Sequence, residues 1–126
     1  MRDEVTLTFG VDTRNMGLAR TVAATMAARA GLTVDRLEDV RLAVDEAVSQ
    51  VISEAPRDGK VACRFEVTAD SLLIDVTAPN ASGRYPSTDT FGWTVLRALV
   101  DEVSPDIDDS TLTLRLRVHR ATTVDV

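Results

Sequence analysis

Glu46 and Gln50 stand four residues apart in the segment Leu37 to Val51, so a helix there projects a carboxylate and an amide over the same turn. A carboxylate in that position can orient or deprotonate a hydroxyl, and an amide oxygen one turn further on can serve a hard cation beside a phosphate. The helix itself is dictated by Leu37, Val40, Val44, Val48 and Val51, whose three- and four-residue steps place them on one face. Polar residues at this spacing also form the solvated flank of many core helices. What the pair does therefore depends on what the rest of the chain brings to it.

A second candidate is the stretch Pro79 to Asp89, rich in Pro, Asn, Ser, Gly and Thr, which escapes both helical and strand periodicity. It feeds a helix that starts near Asp89 and Thr90, and a helix N-terminus with free amide donors favours an anion. Gly83 lies in the middle of this loop and Gly92 just inside the helix, a sparse set for a phosphate cradle, so a plain surface loop is the competing reading. Cys63 and His119 are the only residues of their types. They supply neither an internal disulfide nor a metal framework, and Cys63 reads as a small core residue.

The remaining elements follow from the change of period along the chain. Val5, Leu7 and Phe9 alternate with Glu4, Thr6 and Thr8 in a first strand. Ala19, Val22, Ala23, Met26, Ala27 and Ala30 make the stripe of a first helix, with Asp12, Thr13 or Asn15 as cap and Gly31 as stop. The second helix ends before a breaker cluster, Pro56 to Gly59. Val61, Cys63, Phe65 and Val67, then Leu72, Ile74 and Val76, form a hairpin around Ala69 to Ser71. A third helix carries Val95, Leu96, Leu99 and Val103 inward, and Leu112, Leu114, Leu116 and Val118 alternate in a last strand. Trp93 at the start of that helix reads as a core residue. The expected order is βααββαβ, an α+β two-layer sandwich with helices on one face of a mostly antiparallel sheet.

Residues 1–126 read as a single domain, and 44% apolar with 27% charged residues excludes a disordered chain. A net charge of −6 opposes polyanion binding and suits a basic protein partner. No apolar run approaches the roughly 18 residues of a membrane span, and the first residues read as a strand in place of a secretory signal, so a cytoplasmic location is expected.

The whole chain resembles the anti-sigma factors of the RsbW-like serine kinase group, whose ATP-binding fold is shared with histidine kinases. Asn15 to Arg20, Leu37 to Gln50 and Phe91 to Val103 carry the likeness. The family's second helix reads Ala-Val-x-Glu-Ala-x-x-Asn, and Ala43-Val44-Asp45-Glu46-Ala47-Val48-Ser49-Gln50 follows it up to the last position. The resemblance implies that Glu46 occupies the place of the general base and Gln50 that of the magnesium ligand. A family strand ends in Asp-x-Gly-x-Gly, whose aspartate accepts from the adenine amino group; Ala78-Pro79-Asn80-Ala81-Ser82 stands there, so Ala78 replaces the aspartate and Asn80 the first glycine. At the lid-side helix, Thr90-Phe91-Gly92 keeps only the second glycine of Gly-x-Gly.

These departures lead to the expectation of an impaired ATP site, with Glu46 vestigial and no cofactor bound; ATP and magnesium are implied if the site still works. Loss of one hydrogen bond to a charged group costs roughly 1.5–3 kcal/mol, about one to two decades of affinity. Partner binding is implied through Asn15, Met16, Ala19 and Arg20, since Asn15-Met16-Gly17-Leu18-Ala19-Arg20 matches the family's Asn-x-x-x-Ala run followed by arginine. The expected function is an anti-sigma factor in stress or developmental partner switching: it sequesters an alternative sigma factor, is released by an anti-anti-sigma protein, and forms a homodimer. An active serine kinase acting on its anti-anti-sigma partner, and a scaffold binding only anti-anti-sigma proteins, are the alternatives.

Overall fold

The computed structural model describes residues 3–80 and 82–120. The chain opens with a strand, β1 (Asp3–Gly10), and a single 3-10 turn, Thr13–Asn15. Asp12 caps that turn by accepting from the Arg14 amide at 2.9 Å, so of the three expected caps it is Asp12 that acts, while Asn15 makes no side-chain cap bond. Helix α1 (Met16–Arg29) ends at Gly31, whose φ of +75° is the left-handed turn that favours glycine. Helix α2 (Val34–Ser53) starts under Thr33, whose hydroxyl accepts from the Arg36 amide. Strands β2 (Lys60–Val67) and β3 (Ser71–Pro79) form the expected hairpin.

The third helix departs from its expected length. Helix α3 (Phe91–Leu99) stops at Val100, which is already extended, and Glu102–Asp108 is a strand, β4, paired antiparallel with β5 (Thr111–His119). Val103 thus belongs to a strand, and the order gains one element to become βααββαββ. Pro105, which would interrupt a helix, sits within this edge strand, where it is tolerated. The β4–β5 turn places Asp109 and Ser110 at φ of 48° and 66°, left-handed positions without the glycine that usually announces such a turn. Within α3 the buried residues are Trp93 and Leu96, with Leu99 packed at the core edge; Val95 stays partly exposed.

Among the described residues the sheet has five strands in the order β1-β2-β3-β5-β4, each neighbour antiparallel. One register row runs Leu7, Cys63, Val76, Leu114 and Pro105, and its side faces the helices. Val40, Ala43, Val44, Ala47, Val48 and Val51 of α2 cover that face, and Ala19, Ala23, Met26 and Ala27 let α1 pack beside it. Burial pushes the Cys63 thiol up to about 12, so it is an inert core group. The adjacent row, Thr6, Arg64, Asp75, Arg115 and Ser104, points away from the helices. There Arg64 bonds Glu4, Glu66 and Asp75, and Arg115 reaches Asp75 and Asp106. One sheet face is therefore core and the other a solvated charge ladder, as antiparallel sheets allow.

Candidate functional site

Helix α2 carries Glu46 and Gln50, and it packs against α1, which carries Met16, Ala19 and Arg20. On one flank Glu46 and Gln50, partly buried, face the first turn of α3. A Cβ at position 92 would lie 3.0 Å from Gln50 Nε2 and 3.1 Å from Glu46 Oε2, so the glycine is what brings α3 down onto the pair. Thr90 fixes the start of α3 by accepting from the Trp93 amide at 3.2 Å. Gln50 Nε2 is buried and makes no hydrogen bond within the described residues, and the same holds for Trp93 Nε1. An unpaired buried donor costs about 1–3 kcal/mol.

Ala78 ends the buried row of β3 opposite Leu112 and contributes only a methyl group. Asn80, also buried, is committed to its own loop: Oδ1 accepts from the Ser82 amide at 2.9 Å, the Ser82 hydroxyl at 2.7 Å and the Gly83 amide at 3.2 Å, while Nδ2 donates to the Arg84 carbonyl. Its backbone N–H donates to the Ser110 carbonyl at 2.6 Å, which ties the loop to the β4–β5 turn. Gly83 completes the loop at φ of +65°. Ala81 lies outside the described residues. Beside this loop lies a cleft of about 300 Å³ lined by Glu54, Asn80, Arg84, Tyr85 and Leu112 among others, at the small end of ligand pockets.

The opposite flank of α2 meets α1. Of the residues assigned to partner binding, Ala19 is buried against the core and offers no surface, Met16 packs partly against the core, and Asn15 and Arg20 are partly exposed. The Arg20 side chain keeps 42% of its surface and donates to Asp45 at 3.3 Å. Leu18 and Leu42 are exposed by 49% and 55%, and Phe91, at the start of α3, by 82%. Sequence reasoning passed over these three because it sought apolar residues on the inward stripes. Their signal was the reverse, a large apolar side chain off the stripe. Asp45 was equally legible as the variable residue beside Glu46, yet only the packing of α1 on α2 reveals its partner.

Other chemistries find little support among the described residues. No group of three or more His, Cys, Asp or Glu is placed to hold a metal ion, and no helix is long and apolar enough to cross a membrane. His119 lies on the outer sheet surface, 3.6 Å from Glu102.

An antiparallel sheet covered on one face by helices, with a carboxylate and an amide on the central helix facing the helix that follows a polar loop, defines the histidine kinase-like ATPase fold. The chain belongs to that family: the sequence model of the histidine kinase-like ATPase domain matches residues 9–118. Among its relatives is the anti-sigma-F factor RsbW of Mycobacterium tuberculosis, 27% identical over 124 residues that cover 93% of this chain and 74% of that protein. The serine-protein kinase RsbW of Listeria innocua is 28% identical over 80 residues, 61% of this chain and about half (51%) of that protein. The solved structure of the RsbU and RsbW domains of Rv1364c from Mycobacterium tuberculosis superposes with a TM-score of 0.61 at 20% identity, covering 98% of this chain and 34% of that one, a likeness of fold.

Proposed function

We propose that this chain is an anti-sigma factor of the RsbW kind that sequesters an alternative sigma factor of the stress or developmental type without needing ATP. An anti-anti-sigma protein competing for the same surface of α1 and α2 releases it. It works in the cytoplasm as a homodimer. The names of its relatives support both halves of the family reading, anti-sigma factor and serine-protein kinase. The observation that favours the first is the difference between the two flanks of α2. Toward α1, Arg20 stays half-exposed, and arginine is among the residues enriched at interface hot spots. Toward α3, Ala78 offers no polar group and Asn80 is committed to its own loop.

The residues present do not fit the cofactors that the family implies. Adenine recognition needs a buried acceptor at the end of β3, and Ala78 has none. A magnesium ion demands near-ideal geometry, and the Gln50 side chain, one methylene longer than the asparagine that the family resemblance implies, has α3 seated on it through Gly92. Asn80 closes its loop on itself where the family keeps a bare glycine backbone. No catalytic step through ATP is therefore assigned to Glu46, whose role here is to seat the first turn of α3.

Glu46 is also the observation that keeps a serine kinase acting on an anti-anti-sigma protein as the second reading. The two separate in a purified transcription system containing core RNA polymerase, each alternative sigma factor of the source genome in turn, and this chain. Inhibition of one sigma factor in the absence of ATP, weakened by Arg20→Ala, supports sequestration. Failure to inhibit any of them, with phosphate transfer to an anti-anti-sigma serine lost in Glu46→Gln, would replace it with the kinase.

A further inference from the structure

Arg20 is not free on the surface of α1. Its Nη1 donates to Asp45 Oδ1 across the α1–α2 seam at 3.3 Å, and the guanidinium lies back over Gly17, where a Cβ would stand 3.5 Å from Nη2. A well-formed charge-assisted N–H···O bond closes to about 2.7–2.9 Å, commonly in a two-pronged arrangement for arginine and carboxylate. The contact with Asp45 is longer and single-pronged, with 42% and 32% of the two side chains still exposed. It holds the guanidinium loosely and leaves the side over Gly17 without a side chain to cover it. Asp45 is also the residue next to Glu46, so consecutive carboxylates of α2 diverge, one toward α1 and the other toward α3.

We infer that Asp45 is an intramolecular competitor for Arg20 and that it sets the strength with which a partner carboxylate is bound. This rests on the proposed role of Arg20 in partner binding and adds to it a residue that limits the affinity. An incoming carboxylate of the partner must displace Asp45 from Nη1 before it can take both prongs of the guanidinium. The displaced Asp45 then stays close and repels it, since like charges brought together at an interface are unfavourable. Both effects weaken every complex made through Arg20. A surface over which two proteins compete gains from this, because weaker complexes dissociate faster and exchange is governed mainly by dissociation. A partner without a carboxylate at this point gains nothing from Arg20, so the same residue adds selectivity for an acidic contact.

Removing the charge at position 45 should tighten binding, which distinguishes competition from simple support. Asp45→Asn, Asp45→Ser and Asp45→Glu are compared with the natural chain and with Arg20→Ala, alone and combined with Asp45→Asn. The probe is the sigma factor that the natural chain inhibits in the transcription system, titrated by calorimetry. In parallel, Arg20 is labelled with phenylglyoxal and its modification rate read by mass spectrometry. Asp45→Asn and Asp45→Ser should label Arg20 faster and bind that sigma factor about two- to fivefold more tightly, the scale of one exposed ion pair. Asp45→Glu should behave as the natural chain, and in the Arg20→Ala background the change at 45 should have a smaller effect, that of the relieved repulsion alone. Unchanged or weaker binding by both neutral variants, with unchanged melting temperatures, overturns the competitor role while leaving sigma binding intact. A natural chain that inhibits no sigma factor overturns the anti-sigma reading and this inference with it.

Discussion

Ala78 shows how much a single position can decide. In the sequence it is a gap in a motif, an alanine where the family resemblance implies an aspartate. In the structure it is also part of the core, paired with Leu112 and sealed from solvent. Restoring a carboxylate there meets an apolar wall before it meets any ligand, so Ala78→Asp should destabilise the chain by about 3 kcal/mol at neutral pH, the scale of an unpaired buried charge. Urea unfolding measures this, and the loss should shrink on acidification as the carboxyl is protonated. Asp101 is the opposite case, a carboxylate the fold depends on. Burial works to raise its pKa, but the His119 backbone N–H and Arg36, each at 2.7 Å, outweigh this and hold it below its ordinary value of 3.8. Its folded pKa lies below the unfolded one, so the stability it contributes is present above the unfolded value and is lost as pH falls through the folded value. Asp101→Asn should accordingly unfold more easily than the natural chain at pH 7, and the difference should shrink as pH falls through the folded value, as thermal melts across the acid range would report.

Most of the elements were legible from hydrophobic period alone, because each strand and helix buries one face against a single core. The α2 stripe from Val40 to Val51 and the β2–β3 hairpin lie where alternation put them. What period could not separate was the end of α3 from β4, since Leu96, Leu99 and Val103 continue a helical spacing across a real break. The weak strand signal in Glu102 to Asp108 is that of an edge strand, interrupted in sequence by Pro105 and paired on one side only. Its turn hid for the same reason: Asp109-Ser110 adopts left-handed conformations without a glycine. Ser110→Gly should therefore stabilise the chain by about 0.5–1 kcal/mol through relief at φ of 66°, visible as a higher urea midpoint with unchanged slope. The loop after β3 was legible as a loop and no further. That Asn80 gathers Ser82, Gly83 and Arg84 around itself depends on side-chain geometry that spacing does not encode.

At the scale of the molecule, the two faces and two flanks divide the work. The outer sheet face neutralises its own charges in a ladder of ion pairs, leaving the helical layer as the surface with exposed apolar residues and a half-exposed arginine. Within that layer α2 is shared, one flank against α1 and Arg20, the other against α3, Glu46 and Gln50. The family was legible from the motif on this helix; what each flank of it touches was not, because that depends on side-chain packing. An acidic chain is also suited to approach a basic partner, a contribution to association rate that salt should reduce. The most direct measurement is the affinity of the natural chain for the sigma factor it inhibits, determined by calorimetry with and without saturating magnesium and ATP. Sequestration by an ATP-independent binder requires tight binding with the same affinity under both conditions. Binding that appears only with ATP, or changes tenfold or more on adding it, would contradict that function and return the flank around Glu46 to the mechanism.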